Sequence, residues 1–415
     1  MDLSTKLWIL FFPKLCRAFA RSLPKLPLEL TRCRLKTIAI LLTTGVLASC
    51  AVAPTGSQPR DFFHDQLFVQ PSEQINVGDV FAISSEMKRY LSTEIADQLR
   101  IKGLQQGLVD ALYNQQQLKI RYDSTKTRNA SETFHDRVGN CLSLSIMTAA
   151  LAQELGMPVR FKSLVVDETW ARNGNLYFSV GHINLTLSSK STNILRKFDG
   201  SAQITIDFIP PGEVRGEHAH DLAKETVIAM YMNNRAAEAL ARGNVNDAYW
   251  WSREAITQAP EFLNPYNTLG VVYRRHGNLL EAERVLTYAL RQEPENMRVM
   301  SNLAVVLNDL GRTADAQLLT ARIEKRQPHP PYHFFGLGQA AMLAKDYSAA
   351  SAFFEEELRR DEYNHEFHFW LAAAYAELGK LKLSHKHLAK AMEFSTTVKA
   401  REMYAAKFDR LKAYK

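Results

Sequence analysis

The chain has 415 residues, too many for one small domain and enough for a folded domain plus a repeat array. With 46% apolar and 23% charged residues it has the composition of ordinary globular protein, and four cysteines are too few for a disulfide scaffold. The formal charge of +7 is unevenly spread: residues 1–49 hold eight basic side chains against Asp2 and Glu29, a net +6, so the rest is near neutral and charge gives no argument for nucleic-acid binding.

The basic segment leads into "TIAILLTTGVLAS", residues 37–49, an apolar run too short to span a bilayer comfortably. This order, basic then apolar, is that of a secretory signal. The run ends in "LASC", residues 47–50, which resembles a bacterial lipobox. The resemblance implies cleavage before Cys50 and acylation of its sulfur and new amino group. Ala51 implies an outer-membrane destination facing the periplasm; the alternative is an uncleaved signal anchor. A Pro/Gly/Ser stretch follows, "APTGSQPR", so residues 50–75 are expected to be the lipidated cysteine and a tether. With Cys16 and Cys33 in the signal and Cys50 lipidated, Cys141 is the one thiol left to the mature chain. It is either a small buried hydrophobe or a reactive group.

From residue 76 the chain becomes periodic. "SSEMKRYLSTEIADQLR" and "LQQGLVDALYNQQQ" read as helices and "LKIRYD" as a short strand. After "TFHDRVGN" comes Cys141, and Leu144, Met147, Leu151 and Leu155 then recur at three- and four-residue spacing, giving a helix with one apolar face. Gly156 and Pro158 should stop it. "FKSLVVD", "LYFSVGHINLTL" and "ITIDF" are strand-like, and "IPPGEVRG" marks an end. The expectation is an α+β domain over 76–215 and a connector over 216–228.

Beyond it the strands vanish and a 34-residue period appears: Gly243, Gly277, Gly311 and Gly379, with Lys345 as the one departure, then Ala248, Ala282, Ala316 and Ala350, then Pro260, Pro294 and Pro328. Within "NPYNTLGVVYRRHGNLLEAERVLTYALRQEPEN", Tyr266, Leu269, Gly270, Tyr273, Ala282, Leu286, Ala289 and Pro294 resemble the tetratricopeptide pattern. Four or five such units are expected over 229–398, with a capping helix over 399–415. The resemblance implies an all-α superhelix whose groove binds a protein or peptide.

The α+β segment resembles the transglutaminase-like, papain-related cysteine-hydrolase superfamily. The residues that carry this are "TFHDRVGNCLSLSIMTAALAQELGMPVRFKSLVV", "GHINLTL" and "ITIDFIPP". The resemblance implies Cys141 as nucleophile, His182 as base and Asp207 as orienting carboxylate. Two departures stand out: "HINL" lacks the family's aromatic residue after the histidine, and "SSKSTNILRKFDGSAQ" lengthens the gap to Asp207. Asp199 in "KFDG" is the competing third member, although it reads more simply as a turn residue. A cysteine at a helix start sits in the partial positive charge of the helix end, which favours the thiolate. Gly139 would free the backbone for a tight entry, and backbone N–H groups there could hold an oxyanion. The chemistry implied is acyl transfer through a thioester on amide or peptide bonds, hydrolysis favoured over transfer to an amine. The alternative is a non-catalytic scaffold or envelope assembly factor with a degenerate first domain. No cofactor or metal is expected: His218/His220, His365/His368 and His385/His387 read as solvated surface, as do Arg274, Arg275, Arg284, Arg291, Arg359 and Arg360.

Overall fold

A computed structural model describes residues 58–113, 118–173, 176–188, 203–208 and 219–413. The expected signal peptide, Cys50, Asp199 and His218 lie outside these residues. All contacts below fall within Pro59–Lys415, which form one compact unit.

The first expected helix is broken in three: α1 (Ser85–Arg89), a π-helical turn (Tyr90–Glu94) and α2 (Ala96–Lys102). The hydroxyls of Ser92 and Thr93 both donate to the Arg89 carbonyl, at 3.2 and 2.7 Å, competing with the regular ladder where the register slips. Then come α3 (Leu104–Tyr113), β1 (Arg121–Tyr122), α4 (Ala130–Asp136), β2 (Val138–Gly139) and α5 (Cys141–Glu154). β1 and β2 pair in parallel, with Tyr122 opposite Gly139. Helix α5 ends as its sequence dictates. Gly156 takes a φ of 68°, and the Met157 N–H reaches the Ala152 carbonyl at 2.9 Å.

The single apolar face expected for α5 is corrected by the structure: every residue from Cys141 to Ala152 is buried. Ser143, Ser145, Thr148 and the alanines on its other sides are small enough for neighbours to close in all round. On one side lies an antiparallel sheet of β3 (Val159–Asn173), β4 (Leu176–Ser188), β5 (Gln203–Ile206) and β6 (Ala219–Leu222), in the order β5-β4-β3-β6. Leu222, Phe161, Leu185 and Ile206 lie in register across all four strands. Ile183, Leu185 and Leu187 alternate into the core, each fully buried. β6 falls in the stretch expected as a connector; four residues, "AHDL", are too few to show a strand's alternation.

Five antiparallel helix pairs follow: α6 (Lys224–Ala241) with α7 (Val245–Gln258), α8 (Asn264–His276) with α9 (Leu279–Gln292), α10 (Met297–Asp309) with α11 (Thr313–Arg326), α12 (His333–Leu343) with α13 (Tyr347–Arg360), and α14 (His365–Glu377) with α15 (Leu381–Glu393). Helix α16 (Val398–Ala413) closes the array. Gly243, Gly277, Gly311 and Gly379 turn each pair at φ 71–92°, and Lys345 takes the same left-handed backbone at φ 60°. The small residue early in each pair also has a packing reason. A Cβ on Gly270 would lie 2.5 Å from Leu286, and one on Gly338 2.5 Å from Phe354.

The first pair is not a separate body. Val227, Ile228, Tyr231 and Met232 of α6 and Trp251 of α7 share one hydrophobic core with α5 and β4. Residues 59–73, placed by composition in a tether, form short 3-10 turns laid across α7, α8 and α9. Phe62 and Phe68 are buried there, and Phe68 stacks on Tyr249 at 3.9 Å. Among the described residues no helix is long and apolar enough to cross a membrane.

Candidate functional site

Cys141 is the first residue of α5, 7% exposed within the apolar core. Its position is set by the residue before it. Asn140 caps the helix, its Oδ1 accepting from the Ser143 N–H at 2.9 Å, while its Nδ2 donates to Thr127 Oγ1 at 2.9 Å. Leu144 N–H reaches the Asn140 carbonyl, so the N–H groups of Cys141 and Leu142 are those the helix itself leaves without an acceptor. Gly139 keeps an ordinary φ, so its use is space and not conformational freedom. A Cβ there would lie 3.0 Å from Ser143 Cβ and 3.1 Å from Thr133 Cγ2.

The loop beside the cysteine, residues 123–129, is tied down on three sides. Asp123 N–H donates to the Gly139 carbonyl at 3.1 Å, and Arg128 N–H donates to Ser143 Oγ at 2.8 Å. From α6, Glu238 Oε1 accepts the Thr127 N–H at 2.6 Å; burial raises the Glu238 carboxyl above its ordinary range, and the bond to Thr127 opposes that. From the far end of the array, the Thr396 carbonyl accepts from Ser124 N–H at 2.8 Å, and Asp123 Oδ2 accepts from Val398 N–H at 3.3 Å. The sequence reading missed these supports. An asparagine directly before a helix is a recognisable cap, so Asn140 was findable; Glu238, Thr396 and Val398 lie too far along the chain to show.

His182 lies on β4 opposite Leu164, and its side chain is outside the described residues. Asp207 follows β5 directly and is half-buried, its carbonyl accepting the Tyr113 hydroxyl at 2.7 Å. β4 and β5 are antiparallel neighbours with Leu185 opposite Ile206, so the chain leaving Ile206 runs toward His182. Asp207 thus follows β5 in the direction of His182, and the helix begun by Cys141 packs against β3 and β4.

Of the histidines expected on solvated surface, His220 is exposed, but His365, His368 and His387 are packed between partners. His368 is 3% exposed, with Nδ1 2.9 Å from His387 Nδ1 and Nε2 3.0 Å from the Glu362 carbonyl. His365 is held between Tyr404 Oη at 2.8 Å and Thr396 Oγ1 at 3.2 Å. Burial lowers His365, His368 and His387 to about 4, so all are neutral at neutral pH. Among the described residues no cluster of three or more His, Cys, Asp or Glu could hold a metal ion. Several of the arginines have partners in the chain: Arg274 on Asp309, Arg360 on Glu357, and Arg284 over the Phe62 ring.

Residues 94–223 match the family profile described as the transglutaminase-like superfamily. Residues 273–334 and 310–365 match two tetratricopeptide repeat profiles. The chain is a transglutaminase-like domain followed by tetratricopeptide repeats. Solved structures similar to part of the chain include YrrB, a tetratricopeptide protein with an unusual peptide-binding site, at 19% identity over 43% of this chain and 92% of that one, TM-score 0.24. A thermophilic tetratricopeptide protein of Thermus thermophilus matches at 18% identity over 43% and 97%, TM-score 0.26. PilF of Pseudomonas aeruginosa matches at 17% identity over 44% and 91%, TM-score 0.24. No curated protein matches the chain.

Proposed function

We propose that the transglutaminase-like domain cleaves amide or peptide bonds through an acyl-enzyme on Cys141, and that the repeats bind a protein or peptide. What supports this is Cys141 at the first position of a capped helix, in a domain where the chain leaving β5 at Ile206 runs toward His182 on the neighbouring β4. In this reading the thiolate attacks the substrate carbonyl, and the Cys141 and Leu142 N–H groups hold the oxyanion. The His182 imidazolium gives its proton to the departing amine as the C–N bond breaks. Asp207 holds the imidazole in the required tautomer. Water then gives a proton back to His182 and attacks the thioester, releasing acid and restoring the thiolate. An amine in place of water would give transfer.

The domain is read as sitting in the cell envelope, held to the outer membrane by lipid on Cys50 and facing the periplasm. The "LASC" stretch supports this. Labelled palmitate should enter the parent chain and not Cys50→Ala; a parent chain without label would contradict the anchor.

The second reading, a scaffold with a degenerate first domain, is favoured by one observation: Cys141 is buried among apolar side chains. An activated ester separates the two. With p-nitrophenyl acetate, the enzymatic reading expects a burst of nitrophenol and a transient acetyl group on Cys141, seen by intact mass and lost in Cys141→Ser and His182→Ala. No adduct on the native chain would favour the scaffold.

A further inference from the structure

The repeat register exposes a correspondence between two parts of the array. In the first junction, Phe62 sits in a seat between α7, α8 and α9, 2% exposed, its ring 5.9 Å from Tyr266 and 4.8 Å from Tyr288. Tyr273 Oη donates to the Phe62 carbonyl at 2.6 Å. Three residues on, Asp65 accepts from Arg253 Nε at 2.9 Å. Three periods further, 102 residues along the sequence, the positions of Arg253, Tyr266, Tyr273 and Tyr288 are occupied by Glu355, His368, Tyr375 and Lys390. Between α13, α14 and α15, at that same place in the repeat, lies a cavity of about 310 Å³ lined by Glu355, Leu358, Arg359, Glu362, His368, Leu371, His387 and Lys390, with Arg359 already paired to Glu356.

The cavity therefore stands where a docked aromatic side chain stands in the first junction. One period after the first seat, the residue equivalent to Tyr288 is Arg322, which closes its own junction by donating to the Pro294 carbonyl at 2.6 Å. Its equivalent in the last pair, Lys390, lines the cavity. The hydroxyl that serves the strap's carbonyl in the first junction has an equivalent in Tyr375, which donates to the Glu355 carboxylate. The floor is neutral: His368 Nε2 faces a carbonyl oxygen, which only accepts, so that nitrogen carries the proton and Nδ1 accepts from His387.

We infer that the cavity between α13, α14 and α15 is a second copy of the strap seat, and that it receives an extended peptide of a partner protein carrying an aromatic side chain with a lysine or arginine three residues later. The aromatic ring fills the cavity against Leu358 and Leu371, and the cation pairs with Glu355. The charge at that position separates this occupant from the chain's own strap. Arg253 matches Asp65 in the first junction; Glu355 repels an aspartate in the second. A second copy of this chain is therefore the wrong ligand for this seat. This inference rests on the reading of the repeats as a peptide-binding array and is independent of whether Cys141 reacts.

Two fluorescein-labelled peptides test it, both built on residues 59–70, "PRDFFHDQLFVQ", one unchanged and one carrying Asp65→Lys. The strap stays in the full chain, where it holds the first seat in cis at high effective concentration. Fluorescence anisotropy should show the lysine peptide binding at least ~10-fold tighter than the aspartate peptide, on the scale of a partly buried ion pair. Glu355→Lys should reverse the preference, and Glu355→Gln, which keeps the shape, should erase it. Equal binding of the two peptides to the parent chain would overturn the inference. So would a preference left unchanged by Glu355→Lys, even with peptide binding itself retained.

Discussion

Lys345 is the clearest residue at which the local rule and the sequence disagree. It stands where the other turns have glycine, and it takes the same left-handed backbone. A side chain there costs about 1–2 kcal/mol, partly offset because glycine loses more freedom on folding. Lys345→Gly should therefore stabilise the chain by roughly 0.5–1 kcal/mol, read as a higher urea midpoint with unchanged slope. Asn140 is the opposite case, a residue whose two bonds hold both the helix and the loop beside Cys141. Asn140→Ala should cost about 1–2 kcal/mol by loss of the cap. It should also free the Thr127 hydroxyl, visible as faster hydrogen exchange over residues 127–129. Cys141 stood out in the sequence because thiols are scarce there. Asn140 was readable as a helix cap, but its bond to Thr127 was not, because that partner is placed by the fold.

Among the elements, the repeats were the most legible, because close helix packing needs small residues at fixed offsets and those offsets are short. Gly270 against Leu286 is one such contact, sixteen residues apart in sequence. The strap was illegible for the converse reason: Phe62 meets Tyr273 from 211 residues away, and nothing local marks it as packed. Phe62→Ala should lose about 3–5 kcal/mol by cavity formation, the unfolding of the first two pairs moving most. The last two pairs carry a pH dependence of their own. A histidine whose folded value lies near 4 is neutral when folded while the unfolded chain takes up protons below its ordinary value of about 6.5. Stability contributed by keeping His365, His368 and His387 neutral is thus intact above that value and is lost as pH falls toward 4. Around them Lys386 and Lys390 push in the same direction and Glu355 opposes; the buried carboxyls of Glu357 and Asp361, raised by burial, gain on protonation and soften the loss. The thermal midpoint should fall across this window, and His387→Gln should flatten the slope.

Across the whole molecule the two halves behave as one object. α6 and α7 share the core of the transglutaminase-like domain, and α16 returns to the loop that abuts Cys141. The fold class was readable from two separate patterns, a helix followed by strands and then a 34-residue period, but their fusion was not, since a shared core leaves no periodic mark. Val398→Pro would remove the N–H that Asp123 accepts, at a first helical position that tolerates proline. Exchange should quicken over residues 123–127 while the distant pairs α8 to α11 stay unchanged. A uniform change would mean that the contact does not act locally.

The most direct test of the account is the rate at which iodoacetamide alkylates Cys141. An activated thiolate should react faster in the folded chain at pH 7 than in the same chain in denaturant, despite its burial, and His182→Ala should bring the folded rate below the denatured one. A folded rate below the denatured rate from the outset, unchanged by His182→Ala, would mean that Cys141 is a packed hydrophobe and the domain a scaffold.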